Sequence, residues 1–307
     1  MLIIINYHYI RKDFTSKFRS IFGVTPDLFE QQLISLKSQG DYISANDLII
    51  NSDKILNSKN KYFFVTFDDG LKEQYKFALP ILEKLRIPAM FFANSRNFQD
   101  KKVSTVHKIH LLRSIISTKD FTKILNNQGQ SFLLSKSDLI KAKSTYVYDN
   151  PEDASLKYLL NFKINFSLQE KLIKNIFNIY FDECEILNNL YMSENEIVDL
   201  SKRNFLGSHT HNHYPIGLLS QTEIEFELKN SKLFFEKITQ STISMVSYPY
   251  GTPDACNAEV ANNAKSVGYK FGFTTTRGSN NKNNNKLLLN RYDCNDLSDV
   301  NIISEEL

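Results

Sequence analysis

Cysteine is scarce in this chain, and its placement argues against two common kinds of small scaffold. The 307 residues contain three cysteines, Cys184, Cys256 and Cys294. Their number is odd, they lie far apart in the sequence, and no Cys-x-x-Cys pair occurs. This pattern is not that of a disulfide framework or a zinc knuckle, and it predicts reduced thiols.

Long apolar runs are also lacking. No stretch approaches the roughly 20 apolar residues needed to cross a bilayer, so we expect no transmembrane segment. Met1–Tyr9 is too short for the apolar core of a secretory signal, and no basic region precedes it. If Met1 is the natural start, we expect a cytoplasmic protein.

An excess of one charge is missing as well. The chain has 37 basic and 34 acidic residues, a net charge of +3, and no basic stripe interleaved with aromatic residues. A nucleic-acid partner is therefore not expected. With 42% hydrophobic residues, the chain suffices for one large core plus an appendage. The oligomeric state stays open.

Two adjacent carboxylates, Asp68 and Asp69, stand at the end of the apolar segment Tyr62–Phe67. At the mouth of a buried strand, each carboxylate costs free energy to desolvate and repels the other. Because side chains alternate along a strand, the two can serve different tasks, one as a metal ligand and one as a base. An ordinary β-turn remains an alternative, since Asp-Asp-Gly is also good turn chemistry.

Histidine is rare, yet three of the six histidines fall within five positions, at His209, His211 and His213. His209 and His213 are four apart, so one helical turn or a tight loop can direct both to one point. Two neutral imidazoles with a carboxylate make a three-ligand site with open positions, as in catalytic zinc sites. Iron, cobalt or nickel would suit the same ligands. A solvated polar loop remains the alternative.

A third segment, Ser247–Gly251, follows the short apolar run Met245-Val246. A proline and a glycine bracket Tyr250 there, and such a turn can offer a backbone N–H to a developing oxyanion. By itself the segment is equally typical of an ordinary loop.

Together and in this order, the three segments resemble the motifs of the NodB-type polysaccharide deacetylases, carbohydrate esterase family 4. Thr66–Gly70 is similar to the first motif, His209–His213 to the second and Ser247–Gly251 to the third. The resemblance covers most of residues 1–95 and 190–295, and its first two motifs are specific.

The resemblance implies a role for each matched residue. Asp69, His209 and His213 would bind a divalent metal, with zinc expected first. Asp68 would be the general base for the attacking water, and the backbone N–H of Tyr250 would share the charge of the oxyanion. The substrate would be a carbohydrate with an N-acetyl group.

Two features depart from the common form of the family. The third motif usually begins with an arginine that orients the base, and Ser247 occupies that position here. A final Leu-x-His motif usually supplies the general acid, but no histidine follows His213 in this chain.

The N-terminus offers a replacement for the missing acid. The segment Leu2–Tyr9 contains a predicted buried strand, and His8 stands at the end of that strand. It is similar to the circularly permuted branch of the family, in which an N-terminal Tyr-His supplies the acid. We therefore predict that His8 protonates the leaving amine. A structural histidine at a strand end is the alternative.

For the missing arginine, two residues near the C-terminus are candidates. Arg291 or Asp293 could lie beside Asp68 or His8. The alternative is a surface pair, which is the usual role of an Arg-x-Asp near a chain end.

Alternating strand and helix patterns predict a mostly parallel sheet with helices outside. The resemblance makes this an irregular (β/α) barrel of about seven strands, with the active residues at the carboxyl ends of the strands. A helix should begin at Thr25-Pro26 and end at Gly40, and a capping box at Ser220 should open the helix after the histidines. The predicted strands are Leu2–Tyr7, Tyr62–Phe67, Ala89–Ala93, Phe205–Ser208, Met245–Tyr248, Phe271–Thr275 and Leu287–Leu289.

The segment 97–191 is too long for a short connection within such a unit. We interpret it as a mainly helical insertion within a single NodB-like domain, 1–307. It could cover the site and select the substrate, or it could be peripheral. His107 and His110 lie three apart within it, and we expect a solvent or packing role for them.

These observations predict a metal-dependent hydrolase that removes the acetyl group from an amino sugar in a polysaccharide or a glycan precursor. The expected cytoplasmic location favours a precursor. Two alternatives stay open. One is a hydrolase of a non-sugar amide or imide with the same machinery, and the other is a glycan-binding descendant without activity.

Overall fold

The structure, a computed structural model, describes residues 1–18, 20–127 and 133–297. Its strands are β1 (Leu2–Tyr7), β2 (Tyr9–Ile10), β3 (Gly23–Val24), β4 (Asp41–Tyr42), β5 (Tyr62–Phe67), β6 (Ala89–Ala93), β7 (Leu206–Ser208), β8 (Met245–Ser247), β9 (Phe271–Phe273) and β10 (Tyr292–Asp293).

The α-helices are α1 (Pro26–Lys37), α2 (Ala45–Asn57), α3 (Leu79–Leu85), α4 (Ser95–Gln99), α5 (Thr105–Ile115), α6 (Thr118–Asn126), α7 (Lys136–Thr145), α8 (Pro151–Tyr158), α9 (Phe166–Tyr180), α10 (Glu183–Leu190), α11 (Glu194–Lys202), α12 (Gln221–Thr239) and α13 (Ala258–Val267). Single turns of π-helix occur at Gln74–Ala78 and Leu159–Lys163, and 3-10 turns at Ile216–Leu218 and Cys294–Leu297. No helix among the described residues combines the length and the apolar character needed to cross a membrane.

The main sheet is parallel throughout and has the strand order β10-β1-β5-β6-β7-β8-β9, with β4 paired to the start of β5. The edge strands of this sheet are β10 and β9. Between them, the chain near Asn280 exchanges main-chain hydrogen bonds with Leu2, and Leu289 bridges to Phe273 of β9. The sheet thus curves into an irregular (β/α) barrel, which confirms the predicted fold class.

Side-chain alternation along β1 and β5 decides what faces each side of the sheet. Ile3, Ile5 and Tyr7 join the core shared with α1, α3 and α12, while Leu2 and Ile4 join the core on the opposite face. Strands buried on both faces need near-continuous apolar sequences, as these have. On the face of Leu2 and Ile4, the next alternate position is the polar Asn6, at the carboxyl end of β1.

Local signals place two of the helices where the sequence predicts them. The Thr25 side chain accepts a hydrogen bond from the backbone of Leu28 and caps α1, with Pro26 in the first turn. Ser220 and Glu223 form the predicted capping box of α12. The predicted end of α1 is wrong by three residues, because the helix stops at Lys37. Gly40 instead allows a close approach of Lys61, whose carbonyl oxygen would lie 2.4 Å from an added Cβ.

The predicted strand Leu287–Leu289 is also wrong. Only Leu289 makes a ladder bridge, to Phe273, and the two residues before it lie in a turn. Backbone groups of Asn285 and Lys286 are used for that turn and for Gly272. The apolar side chains in this segment therefore pack from a loop rather than from a strand.

The chain forms two compact units. The first comprises 1–13, 23–102 and 187–297 and contains the main sheet. The second comprises Phe14–Phe22 and Val103–Ile186, as far as these segments are described. The second unit is helical and has its own core, formed by residues such as Leu112, Phe121 and Phe177. It includes most of the predicted insertion 97–191.

Gly207 in β7 supplies a test of how the sheet packs. A Cβ at this position would lie 2.4 Å from the ring of Phe92, its neighbour on β6. We expect Gly207→Ala to lower the free energy of unfolding by about 1–3 kcal/mol, because the buried ring must move. Urea denaturation measures the loss. Phe92→Leu in the same chain should recover part of it, whereas additive losses would contradict this contact.

Candidate active site

The turn after β5 carries the two adjacent carboxylates, Asp68 and Asp69. Asp69 has a φ of 80° and Gly70 a φ of 63°. An added Cβ on Gly70 would lie 2.9 Å from the Cβ of Ala93, so glycine is needed for close approach as well as for the turn. The segment therefore forms a tight turn, and both of its carboxylates, Asp68 and Asp69, are buried.

Asp69, His209 and His213 converge on one point. Their candidate ligand atoms all lie within 4.8 Å of one another. Asp69 Oδ1 is 3.1 Å from His213 Nε2 and 3.5 Å from His209 Nε2. The three side chains are buried, with His213 the most exposed at 8%. The sequence predicts that these three residues lie close together, and they do. Their role as metal ligands stays a prediction.

His209 is oriented by its second ring nitrogen. Nδ1 lies 2.8 Å from the carbonyl oxygen of Ser247, at the end of β8. Because a carbonyl can only accept, Nδ1 carries a proton, and this bond turns Nε2 towards Asp69. A metal-binding histidine is commonly held in this way.

The loop between the two histidines is held by a residue that sequence reasoning missed. Glu227 of α12 accepts hydrogen bonds from the backbone N–H groups of His211 (3.0 Å) and Asn212 (2.7 Å) and from the Asn212 side chain (2.6 Å). Burial raises the pKa of Glu227, and these hydrogen bonds oppose the rise. The available signal was a carboxylate on the apolar face of α12, beside Ile224 and Leu228.

His211 does not join the converging group. Its Nδ1 lies 2.8 Å from Ser95 Oγ, and its Nε2 lies 3.6 Å from Asp100 Oδ2. The side chain is buried, and it supports the loop rather than the point where His209 and His213 meet.

Arg291 reaches Asp68 from just before β10. Its Nη1 donates to Asp68 Oδ1 at 3.0 Å and its Nη2 to Asp68 Oδ2 at 2.7 Å. Nη1 also donates to Asn6 Oδ1, and Nε donates to the carbonyl of Thr274. Both side chains of the ion pair are at most 2% exposed. The sequence predicted Arg291 beside either Asp68 or His8, and in the structure it pairs with Asp68.

This pairing sets the charge of Asp68. Burial by itself would raise the pKa of the carboxyl group, but the Arg291 guanidinium, together with His209 and His8, outweighs burial and holds the pKa well below its usual range. Asn6, which the sequence reasoning also missed, donates from Nδ2 to Asp68 Oδ2 at 3.1 Å. Its signal was a polar residue at the last inward-facing position of an apolar strand.

His8 lies directly after β1. Its Nε2 is 3.8 Å from Asp68 Oδ2, and its side chain is 36% exposed. It is therefore near the predicted base, yet accessible. Its proposed role as the acid stays a prediction.

Tyr250 and Asp293 differ in their relation to the site. Tyr250 has a φ of 62°, and its ring centroid lies 5.3 Å from that of His213. Asp293, by contrast, makes its side-chain hydrogen bonds with a neighbour in sequence. Its Oδ1 accepts from the backbone and the side chain of Asn295. Among the described residues, the structure brings Arg291 to Asp68 but shows no contact of the Asp293 side chain with Asp68 or His8.

The donor set fits a divalent metal. Two imidazole nitrogens and one carboxylate oxygen leave positions open for other ligands, which suits zinc and also iron, cobalt or nickel. Burial alone would lower the pKa of His209, but the negative charges of Asp68 and Asp69 raise it. The same negative charges favour a metal cation at this point.

Comparisons of sequence and structure relate this chain to known proteins. The family model described as Polysaccharide deacetylase matches residues 56–129 and 188–272, just over half of the chain. No curated protein matches the chain in sequence.

Similar solved structures share the fold. The deacetylase PplD of Streptococcus pyogenes, in complex with acetate, is 21% identical with a TM-score of 0.55, and the match covers 95% of this chain and 91% of that one. IcaB from Ammonifex degensii is 16% identical (TM-score 0.56; 94% and 90% covered). A de-N-acetylase from Aggregatibacter actinomycetemcomitans is 14% identical (TM-score 0.59; 100% and 99% covered).

The buried ion pair of Asp68 and Arg291 gives a stability prediction. Arg291→Met should lower the free energy of unfolding by about 3–5 kcal/mol, because it leaves a buried carboxylate without its cation. Urea denaturation measures this loss. Arg203 is a matched control, since it pairs with Asp199 and Glu83 at a side-chain exposure of 37%. Arg203→Met should cost less than about 1 kcal/mol. Equal losses in the two variants would contradict the importance of burial.

Proposed function

This chain belongs to the polysaccharide deacetylase family, and from that premise we propose that it hydrolyses the N-acetyl amide of an amino sugar with a divalent metal at Asp69, His209 and His213. Membership makes the protein a hydrolase of the amide bonds of N-acetyl sugars.

One observation carries the proposal: a candidate metal-binding group lies beside a separate, ionised carboxylate. The ligand atoms of Asp69, His209 and His213 lie within 4.8 Å of one another, and Asp68 is the adjacent residue. Amide hydrolysis needs both an electrophilic centre and a base. Asp69 would help to hold the metal that supplies the first, and Asp68 would be the second.

The residues at the metal site would serve as ligands. His209 and His213 would each contribute a neutral imidazole nitrogen and Asp69 a carboxylate oxygen. When bound, a divalent metal, zinc by preference, would acidify water and polarise the carbonyl of the amide.

Asp68 acts as the general base in this scheme and accepts a proton from the attacking water. Arg291 keeps the carboxylate ionised and, with Asn6, fixes its orientation. In this way Arg291 takes the place of the arginine that the third motif lacks at Ser247. A carboxylate of low pKa is a weak base, so its contribution depends on its position close to the water.

His8 and Tyr250 act on the other atoms of the amide. His8 delivers a proton to the leaving amine, and its partly exposed side chain is accessible to a substrate. The backbone N–H of Tyr250 stabilises the negative oxygen of the tetrahedral state.

The first experiment is acetate release from a panel of N-acetylated sugars, sugar nucleotides and short oligosaccharides, with metal removed and then restored. We expect release that requires metal. Asp68→Asn should reduce kcat about 10²- to 10⁴-fold, because the base is lost. Asp53→Asn is the control, since Asp53 is an exposed carboxylate paired with Lys286.

Each result of this experiment has a definite meaning. Metal-dependent release that Asp68→Asn abolishes and Asp53→Asn preserves would support the proposal and narrow the substrate. A folded, metal-loaded protein that releases no acetate from any member of the panel would contradict it. That result would favour a non-sugar amide substrate or a binding function.

The role of His8 is tested separately. His8→Ala should lower kcat about 10²- to 10⁴-fold, because the leaving amine is no longer protonated, while metal content stays that of wild type. His209→Ala should instead lose the metal. Elemental analysis of the purified variants, beside acetate release, measures both effects. Near-normal turnover of His8→Ala would overturn its assignment as the acid.

A further inference from the structure

Gln74 is a buried polar residue without a role in the proposed reaction. It is the first residue of the π-turn Gln74–Ala78, and its side chain is fully buried. Single π-turns occur often at functional sites, because the extra residue changes the direction of the side chains around it. Here the turn follows shortly after Asp68.

The Gln74 side chain joins the main chains of two residues at the site. Its Nε2 donates to the carbonyl of His8 at 2.8 Å and to the carbonyl of Asp68 at 2.6 Å. An amide nitrogen has two hydrogens, one for each carbonyl. The opposite orientation would place Oε1 against two carbonyl oxygens, so the amide can adopt only this one.

These bonds act where the sheet stops. The ladder between β1 and β5 ends at Tyr7 and Phe67, followed by one main-chain bond from Asp68 to Tyr7. His8 lies beyond this point, with its side chain partly exposed. Gln74 therefore continues the connection between the two strands by one further residue on each.

We propose that Gln74 is a positioning residue that sets the separation of His8 from Asp68. This inference rests on the proposed function, in which those two residues are the acid and the base. The imidazole Nε2 and the carboxylate Oδ2 are 3.8 Å apart. A substrate amide must fit both groups at once, so a change in their separation slows the reaction rather than substrate binding.

A packing role alone does not account for this residue. Gln74 Oε1 is buried and has no hydrogen-bond partner among the described residues. An apolar side chain of the same shape would fill the space without burying that oxygen. The two donated bonds are the feature that requires an amide.

The test is Gln74→Met, which keeps the length of the side chain and removes both donors. We expect kcat to fall about 10- to 100-fold with KM changed less than about threefold. The dissociation constant of Zn²⁺, measured by chelator competition, should stay within about threefold of wild type, since the two bonds that Gln74 donates go to His8 and Asp68, which are not proposed ligands. If Gln74→Met does not fold, Gln74→Asn replaces it, because the shortened amide cannot reach both carbonyls.

Gln169→Met is the matched control. Gln169 is also buried and donates to a main-chain carbonyl, that of Leu160, at the second π-turn. Its loss should lower the melting temperature about as much as Gln74→Met, by roughly 2–5 °C, without changing kcat. Equal effects of both variants on kcat would overturn the inference, and so would wild-type kcat in Gln74→Met.

Failure of the proposed function is distinguishable from failure of this inference. If wild type releases no acetate, the proposed function is wrong. The positioning role is then tested by comparing the distance from His8 to Asp68 in crystal structures of wild type and Gln74→Met. An increase of about 1 Å or more between His8 Nε2 and Asp68 Oδ2 would support the positioning role. An unchanged separation would overturn it.

Discussion

The parallel pairing of β1 with both β5 and β10 is the constraint on which the site depends. β1 pairs with β5 in register from Leu2 opposite Tyr62 to Tyr7 opposite Phe67, and with β10 at Ile5 and Asn6. Parallel strands end at the same edge of a sheet, so the residues that follow them meet there. Segments from the beginning, the first quarter and the end of the chain therefore supply one site.

Burial of charge is the second constraint, and it explains the arrangement around Asp68. A carboxylate at the inward face of the sheet requires a cation in the same environment. The third motif lacks the arginine expected at Ser247, and Arg291 provides the guanidinium from just before β10. The cation beside Asp68 therefore comes from a part of the sequence far from the third motif. The buried carboxyl group of Glu227 is stabilised differently, because neutral N–H groups of the histidine loop donate to it.

Backbone strain is concentrated at the same place. Residues other than glycine with positive φ include Asp69, Thr210, His213 and Tyr250, all within the three motifs. Such conformations cost free energy, and they persist where the surrounding structure holds them. In this chain Glu227 holds the histidine loop, and the bond from His209 to Ser247 joins that loop to the third motif. The motifs therefore form one connected unit.

The sequence by itself determined the long strands, the starts of α1 and α12, and the residues of the candidate metal site. Apolar runs, capping side chains and a dense histidine cluster are local signals, and their effect does not depend on the tertiary fold. Local signals were insufficient for β4 and β10, which have two residues each, and for Leu287–Leu289, which is apolar without being a strand. The tertiary structure alone decided the partner of Arg291, the local role of Asp293 and the contributions of Asn6 and Glu227. Those outcomes depend on strand register and on which buried groups meet across the sheet, and neither is encoded in the spacing of neighbouring residues.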